Sequence, residues 1–395
     1  MDIEQLETPN AATVGKQLGA KEILANIRAL RPTLLARAVE IEDLRRIPDD
    51  IVELVRQTGA LRMMMPRRWG GPEMNLMQVN EALEELAIGN SAVAWCVMIQ
   101  IDSGQYSGLL DDNVARQMYS RLDITTSNVI RPAGRAQKVD GGYVVNGQWP
   151  FASGCLHADL FAGGCQVFER DGSGPLLNDL GQPAHRMIIA KREEFQIHDT
   201  WYTTGLRGTG SNDVEAKNLF IPEERMFSFE KSSLHEGALY RWPAALIAKM
   251  PGVVLGIARS AIETVSLFMR QKKDKSELST LAVADAQTLY ASARAYVFQT
   301  LEAIWERLEA GQLPSEKERA AIFLARANAF QSARAAVQLM FDTFGGNAVY
   351  AKKMALERHL RDLNTACQHT FGQRRAQLTA GKFMLGTLDA PVLFL

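Results

Sequence analysis

The stretch WPFASGCLHAD, Trp149 to Asp159, gathers two aromatics, a hydroxyl, a glycine, a thiol and an imidazole within eleven residues. A serine hydroxyl can donate a hydrogen bond, a glycine lets backbone come close, and Trp149 and Phe151 offer stiff apolar surface. Cys155, His157 and Cys165 would offer three zinc ligands, but no fourth lies nearby at structural-site spacing, so no metal is expected. More than two hundred residues later His369 brings a group that can give or take a proton near neutral pH. Each has a plainer reading: Ser153-Gly154 as a turn after a strand, His369 and His157 as histidines bonded to backbone.

Other groups invite the same double reading. Trp95 and Met98, with Tyr106 beyond, would line a substrate cavity or fill a core stripe. Gly205, Gly208 and Gly210 stand in the wrong order for a dinucleotide fingerprint, and no helix signal follows, which excludes a Rossmann reading. Arg270, in RQKKDKSELS, is either a ligand-reaching cation or a solvated helix end. Gly345-Gly346 serves a cofactor or a helix C-cap.

The 395 residues are long enough for two or three packed units. Forty-four basic against 45 acidic side chains leave no charge excess for nucleic acid or an acidic membrane. Four dispersed cysteines without a CxxC pair suit free thiols in a reducing compartment. MDIEQLETPN has no apolar h-region and no apolar run spans a bilayer, so the expected location is cytoplasmic.

Three rhythms follow one another. Residues 1–122 read as a helical domain, with IPDDIVELVRQTG framed by Pro48 and Gly59 and with Leu76, Val79, Leu83 and Leu86 on one stripe. Residues 123–235 read as a β domain, an antiparallel barrel or sandwich, with Asp140-Gly141-Gly142 as a hairpin turn. Residues 236–395 read as a bundle of four long helices at about 243–270, 278–310, 314–343 and 353–386. The fold class is mainly α with a central β unit.

That order resembles the acyl-CoA dehydrogenase fold family over roughly residues 20–385. The resemblance rests on GLRGTGSNDVEAKNLFIPEER (Gly205 to Arg225) and on FGGNAVY (Phe344 to Tyr350) followed by ERHLRDL (Glu357 to Leu363). The dehydrogenases use a carboxylate eight residues after an Arg-Asp pair like Arg361-Asp362, or one on the first bundle helix. Here Thr370 and the neighbourhood of Leu246 hold those places, and SNVIRPAGRA, Ser127 to Ala136, replaces an acidic flavin-contacting string. The chain instead has W-x-F-x-S-G at Trp149 to Gly154 and His369 seven residues after Asp362. Both features are similar to the two-component (group D) flavin-dependent monooxygenase branch.

The resemblance implies a reduced flavin, FADH2 or FMNH2, that takes up O2 as a C4a-(hydro)peroxide and passes one oxygen atom to a small aromatic or heteroaromatic substrate, phenolic or indole-like. It implies a separate NAD(P)H:flavin reductase as partner and a homotetramer. Ser153 and His369 would be catalytic, and Ser127, Asn128, Trp149, Phe151, Ala152, Ser153, Arg270, Gly345 and Gly346 would contact flavin. Trp95, Met98 and Tyr106 would contact substrate. Two alternatives stand beside it: an acyl-CoA dehydrogenase or nitroalkane-type flavin oxidase with a non-standard base, and a non-catalytic flavin- or ligand-binding homologue.

Overall fold

Among the described residues seven α-helices precede the first strand: α1 (Ala20–Ala36), α2 (Ala38–Leu44), α3 (Asp49–Thr58), α4 (Leu76–Gly89), α5 (Ser91–Gln100), α6 (Ser103–Ser107) and α7 (Asp112–Met118). Local chemistry sets their ends. Gly59 closes α3 in the left-handed region, and the Asn75 side chain caps α4 by accepting the Gln78 N–H. Asn90 caps α5 by accepting from Ala92 and Val93. The α4 stripe of Leu76, Val79, Leu83 and Leu86 is fully buried. The computed structural model describes residues 18–387 except 173, 179–180, 274–275 and 352–353, so MDIEQLETPN lies outside the described residues.

The middle of the chain forms one seven-stranded sheet of β1 (Thr126–Val139), β2 (Gly142–Ala152), β3 (Leu160–Phe168), β4 (His185–Lys191), β5 (Gln196–His198), β6 (Asn212–Pro222) and β7 (Met226–Phe227). Its order is β5-β6-β2-β1-β3-β4-β7. The hairpin turns at Asp140-Gly141, where Val139 pairs with Gly142. The sheet is mixed rather than wholly antiparallel, because β3 returns on the far side of β1 and runs parallel to it. Residues 153–159, the second half of WPFASGCLHAD, are the turns of that crossover. Trp149 anchors a small core of its own between Phe161 and Phe195.

Helices return with α8 (Ala245–Ala248), α9 (Pro251–Lys272), α10 (Glu277–Glu309), α11 (Glu316–Phe344), α12 (Gly346–Val349), α13 (Leu356–Ala366) and α14 (Arg375–Met384). The second and third bundle helices match the sequence reading within a few residues. The first is preceded by a separate turn, α8, with Pro251 opening α9. The fourth is not one helix over 353–386: it stops at Ala366 and resumes at Arg375, and His369 stands in the break. Among the described residues, 245–272 is the one stretch apolar and long enough to suit a membrane, yet 94% of its most apolar window is buried in the protein. It is the bundle's core helix.

Candidate functional site

A cavity of about 1720 Å³ opens where α5, the crossover after β2, the loop 201–211 and the turn after α13 meet. It is lined mainly by apolar surface, including Met98, Ile99, Phe151, Leu246 and Met250. Into it converge the hydroxyls of Ser153, Thr209 and Ser211, the Asn128 amide, and His369. Pockets for one small ligand hold about 300–1,000 Å³, so this space admits a flat conjugated cofactor together with a substrate.

A β-bulge sorts the W-P-F-A-S-G string. Trp149 pairs with Val214 and Ala152 with Asn212, so two residues of β2 stand opposite one of β6. Without the bulge Phe151 would share the inner face with Trp149, two residues before it. With it, Phe151 takes a φ of 67° and turns out into the cavity, 66% exposed, its ring edge-to-face with Trp201 at 6.1 Å. Trp149 stays wholly buried, its indole N–H donating to the Gly164 carbonyl at 2.7 Å. The expectation that Trp149 and Ala152 face a flavin is therefore corrected: both belong to the sheet core.

Ser153 sits at the head of a directed hydroxyl chain. Thr209 Oγ1 donates to the Leu206 carbonyl at 2.8 Å, which uses its only proton. Thr209 then accepts from Ser211 at 2.6 Å, and Ser211 from Ser153 at 2.7 Å. Ser153 Oγ in turn accepts the Trp95 indole N–H at 3.2 Å. Its proton is thus committed away from the cavity, and what it presents to a ligand is an acceptor lone pair. Ser127 does not line the cavity; buried behind, its hydroxyl donates to the Ser153 carbonyl at 2.9 Å and holds the turn. Gly154, at φ 73°, also lies off the wall: a Cβ there would meet Gln100 Nε2 at 2.7 Å, so its close approach is to α5.

Trp95 also carries the link to His369. Their rings meet edge-to-face at 5.7 Å. The Phe371 backbone N–H donates to His369 Nδ1 at 3.3 Å, which places the ring proton of the neutral imidazole on Nε2. Burial, with a smaller push from Arg326, lowers the His369 pKa to about 4. Arg326 is itself fully buried and holds the same turn, its Nε donating to the Phe371 carbonyl at 3.0 Å.

Of the remaining expected contacts, Trp95, Met98 and Asn128 line the cavity and Tyr106 does not. Tyr106 is core, packed on Phe227 at 5.1 Å and Phe229 at 6.1 Å, because the helical course turns between α5 and α6. Arg270, Gly345 and Gly346 are exposed on the bundle, away from this chain's cavity. His157 also lies off the wall, and burial lowers its pKa to about 4. Cys155 and Cys165 are buried thiols donating to the Gly210 and Gly163 carbonyls.

The structure adds residues that sequence reasoning missed. Asp102 and Lys249, 3% and 1% exposed, form a buried ion pair on the cavity wall. Burial raises the Asp102 pKa and lowers that of Lys249, and the charge of each partner opposes both shifts. Two signals were present. Asp102 follows Trp95 and Met98 on one helical face, and Lys249 is a lone charge in the apolar run ALIAKMPGVVLG. Trp201, in WYTTG, is the third omission.

A family model described as "Acyl-CoA dehydrogenase, C-terminal domain" matches residues 249–374. The chain is 35% identical over 231 residues to the flavin-dependent monooxygenase oxygenase subunit HsaA of Rhodococcus jostii. That alignment spans 58% of each protein. It is 26% identical over 388 residues to the indole-3-acetate monooxygenase of Acinetobacter baumannii, covering 95% of this chain and 97% of that one. The crystal structure of 3-HSA hydroxylase from Rhodococcus sp. RHA1 superposes with a TM-score of 0.87 at 26% identity, covering 95% of this chain and 99% of that one. With a helix–sheet–bundle order and a cavity at the sheet crossover, the chain has the acyl-CoA dehydrogenase-like fold and is similar in sequence and structure to flavin-dependent monooxygenase oxygenase subunits.

Proposed function

We propose that the protein is the oxygenase component of a two-component monooxygenase, using reduced flavin and O2 to oxygenate a small aromatic or heteroaromatic compound. The observation that carries this reading is Trp95, which touches both the Ser153 hydroxyl and the His369 ring on the wall of a cavity large enough for flavin and substrate together. The relatives named above support it, one of them a monooxygenase of indole-3-acetate. Bound reduced flavin supplies the oxygen activation.

The chain's own residues do the rest. Phe151, Trp201 and Trp95 give flat walls for a conjugated ring, and Met98, Ile99 and Met250 keep water from the reacting atoms. Ser153 Oγ accepts a hydrogen bond from a ring N–H, its own proton being held by Ser211. His369, neutral above about pH 5 by its lowered pKa and protonated on Nε2, acts as a hydrogen-bond donor. The bond into Nδ1 leaves no free ring nitrogen for the role of base.

The partner in this reading is a separate NAD(P)H:flavin reductase. Homotetramer assembly is part of the proposal: Leu278 and Leu281 on α10 and Val349 and Tyr350 after α11 are exposed apolar side chains on the bundle, where a second copy would cover them. In that assembly Arg270, Gly345 and Gly346 would face a neighbour rather than this chain's own cavity. Light scattering on the purified protein tests the assembly.

Activity is tested with purified protein, O2, and indole-3-acetate or a simple phenol. Oxygenated product forms while reduced FMN or FAD is supplied, directly or by a reductase. Turnover with NADH alone, or dye reduction by an acyl-CoA, would overturn the reading.

A further inference from the structure

We propose that Lys249 anchors a hydrogen-bond-accepting oxygen, phenolic or carboxylate, at the end of the substrate remote from the oxygenated atom. The inference deepens the monooxygenase reading and rests on it for taking the cavity ligand to be the substrate.

One face of α5 carries the argument. Trp95, Met98, Ile99 and the following Asp102 recur at helical spacing and all line the cavity. Asp102 keeps helical backbone angles, φ −59° and ψ −17°. Seven residues at the helical rise put it about 10 Å from Trp95. At one end Trp95 meets Ser153 and His369; at the other Asp102 meets Lys249. Between the ends α5 presents Met98 and Ile99 to the cavity. That length matches an aromatic compound of about two rings, oxygenated at one end and held at the other.

The pair itself is built for a ligand. Removing two charges from water costs more than their attraction returns unless a further partner shares them, and an apolar pair of equal size would serve stability at least as well. Lys249 Nζ donates to Asp102 Oδ1 and to the Leu246 carbonyl, two of its three N–H bonds. The other Asp102 oxygen accepts the Asn128 amide at 3.1 Å, so the carboxylate is already satisfied. The third ammonium N–H has no partner among the described residues, and Lys249 stands on the wall of a mainly apolar cavity, beside Leu246, Ile247 and Met250. An acceptor oxygen is what completes it.

The test is calorimetric titration of the full chain, without flavin, using biphenyl-4-carboxylate, 4-phenylphenol and the oxygen-free 4-methylbiphenyl. In the natural protein at least one oxygen-bearing probe binds about tenfold or more tightly than 4-methylbiphenyl. In Lys249→Met that ratio falls to about one. The double variant Lys249→Met/Asp102→Asn gives the same result without leaving a buried carboxylate unpaired, so a fold lost in the single variant does not decide the matter. A ratio near one in the natural protein, or one preserved in the double variant, overturns the proposal. Because no flavin is present, a ratio that collapses as stated while reduced flavin supports no oxygenation would sink the monooxygenase reading alone. Oxygenation with an insensitive ratio would sink the anchor alone.

Discussion

The Asp362 carboxylate accepts the Leu206 backbone N–H at 2.6 Å, joining α13 to the loop that carries Thr209 and Ser211. Its second oxygen accepts the Ser91 hydroxyl at the start of α5, the helix of Trp95. Arg361 beside it donates to the Thr204 carbonyl at 2.7 Å and pairs with Glu357 and Glu42. A Cβ on Gly205 would lie 2.1 Å from the Arg361 carbonyl, so the two motifs pack backbone against backbone. Neither Arg361 nor Asp362 lines the cavity. The pair sets the three segments that bring Ser153, Trp95 and His369 together.

Asp362→Ala therefore strands two buried donors. We expect a loss of about 2–4 kcal/mol in stability, read from the urea midpoint. The surviving folded fraction should also release more hydrogen peroxide per product, because His369 and the Ser211 chain lose their common anchor.

Trp95→Phe keeps an aromatic wall and removes one hydrogen bond, the 3.2 Å contact to Ser153. A neutral bond of this kind contributes about 1 kcal/mol, so the expected drop in coupled turnover is about fivefold. Ser153→Ala should lower it at least as far, since it also cuts the link to Ser211. Equal coupling in all three proteins would contradict the role given to Ser153.

Phe151 holds a left-handed backbone conformation that costs a non-glycine residue about 1–2 kcal/mol, and its side chain is largely exposed. Phe151→Gly removes that strain along with a cavity wall. Thermal unfolding should move up or stay level while the fraction of oxygen lost as hydrogen peroxide rises. Strain kept at a site for its geometry gives this opposition; a merely structural Phe151 would not.

Four histidines, His157, His235, His359 and His369, have pKa values lowered chiefly by burial, to about 4, 4, 3 and 4 from 6.5. Unfolding lets each take a proton that the folded chain refuses, so stability is full above pH 6.5 and falls as pH drops toward about 4. The pH dependence of the unfolding free energy should show an uptake of up to four protons across that window. Activity, by contrast, should show no inflection near pH 6.5, since His369 stays neutral there. An activity step at pH 6.5 that vanishes in His369→Gln would refute the donor role.

Much of the fold was legible from local pattern. Helical spacing, caps such as Asn75 and Gly59, and the Asp140-Gly141 turn act within a few residues, so the order of helices, sheet and bundle could be read along the chain. The pairing of Ser153 with His369 came from the resemblance to the monooxygenase branch, and the fold brings them to one wall through Trp95. What tertiary structure alone decided depended on partners distant in sequence. The bulge against β6 sends Phe151 to the cavity and leaves Trp149 in the core, a sorting that strict alternation would deny. The break after α13 arises where Asp362 and Arg326 pin the chain to other elements, which an apolar period running on through 353–386 does not reveal. The Asp102–Lys249 pair spans 147 residues and exists only because the end of α5 meets the entry to the bundle inside the protein, where each charge needs the other.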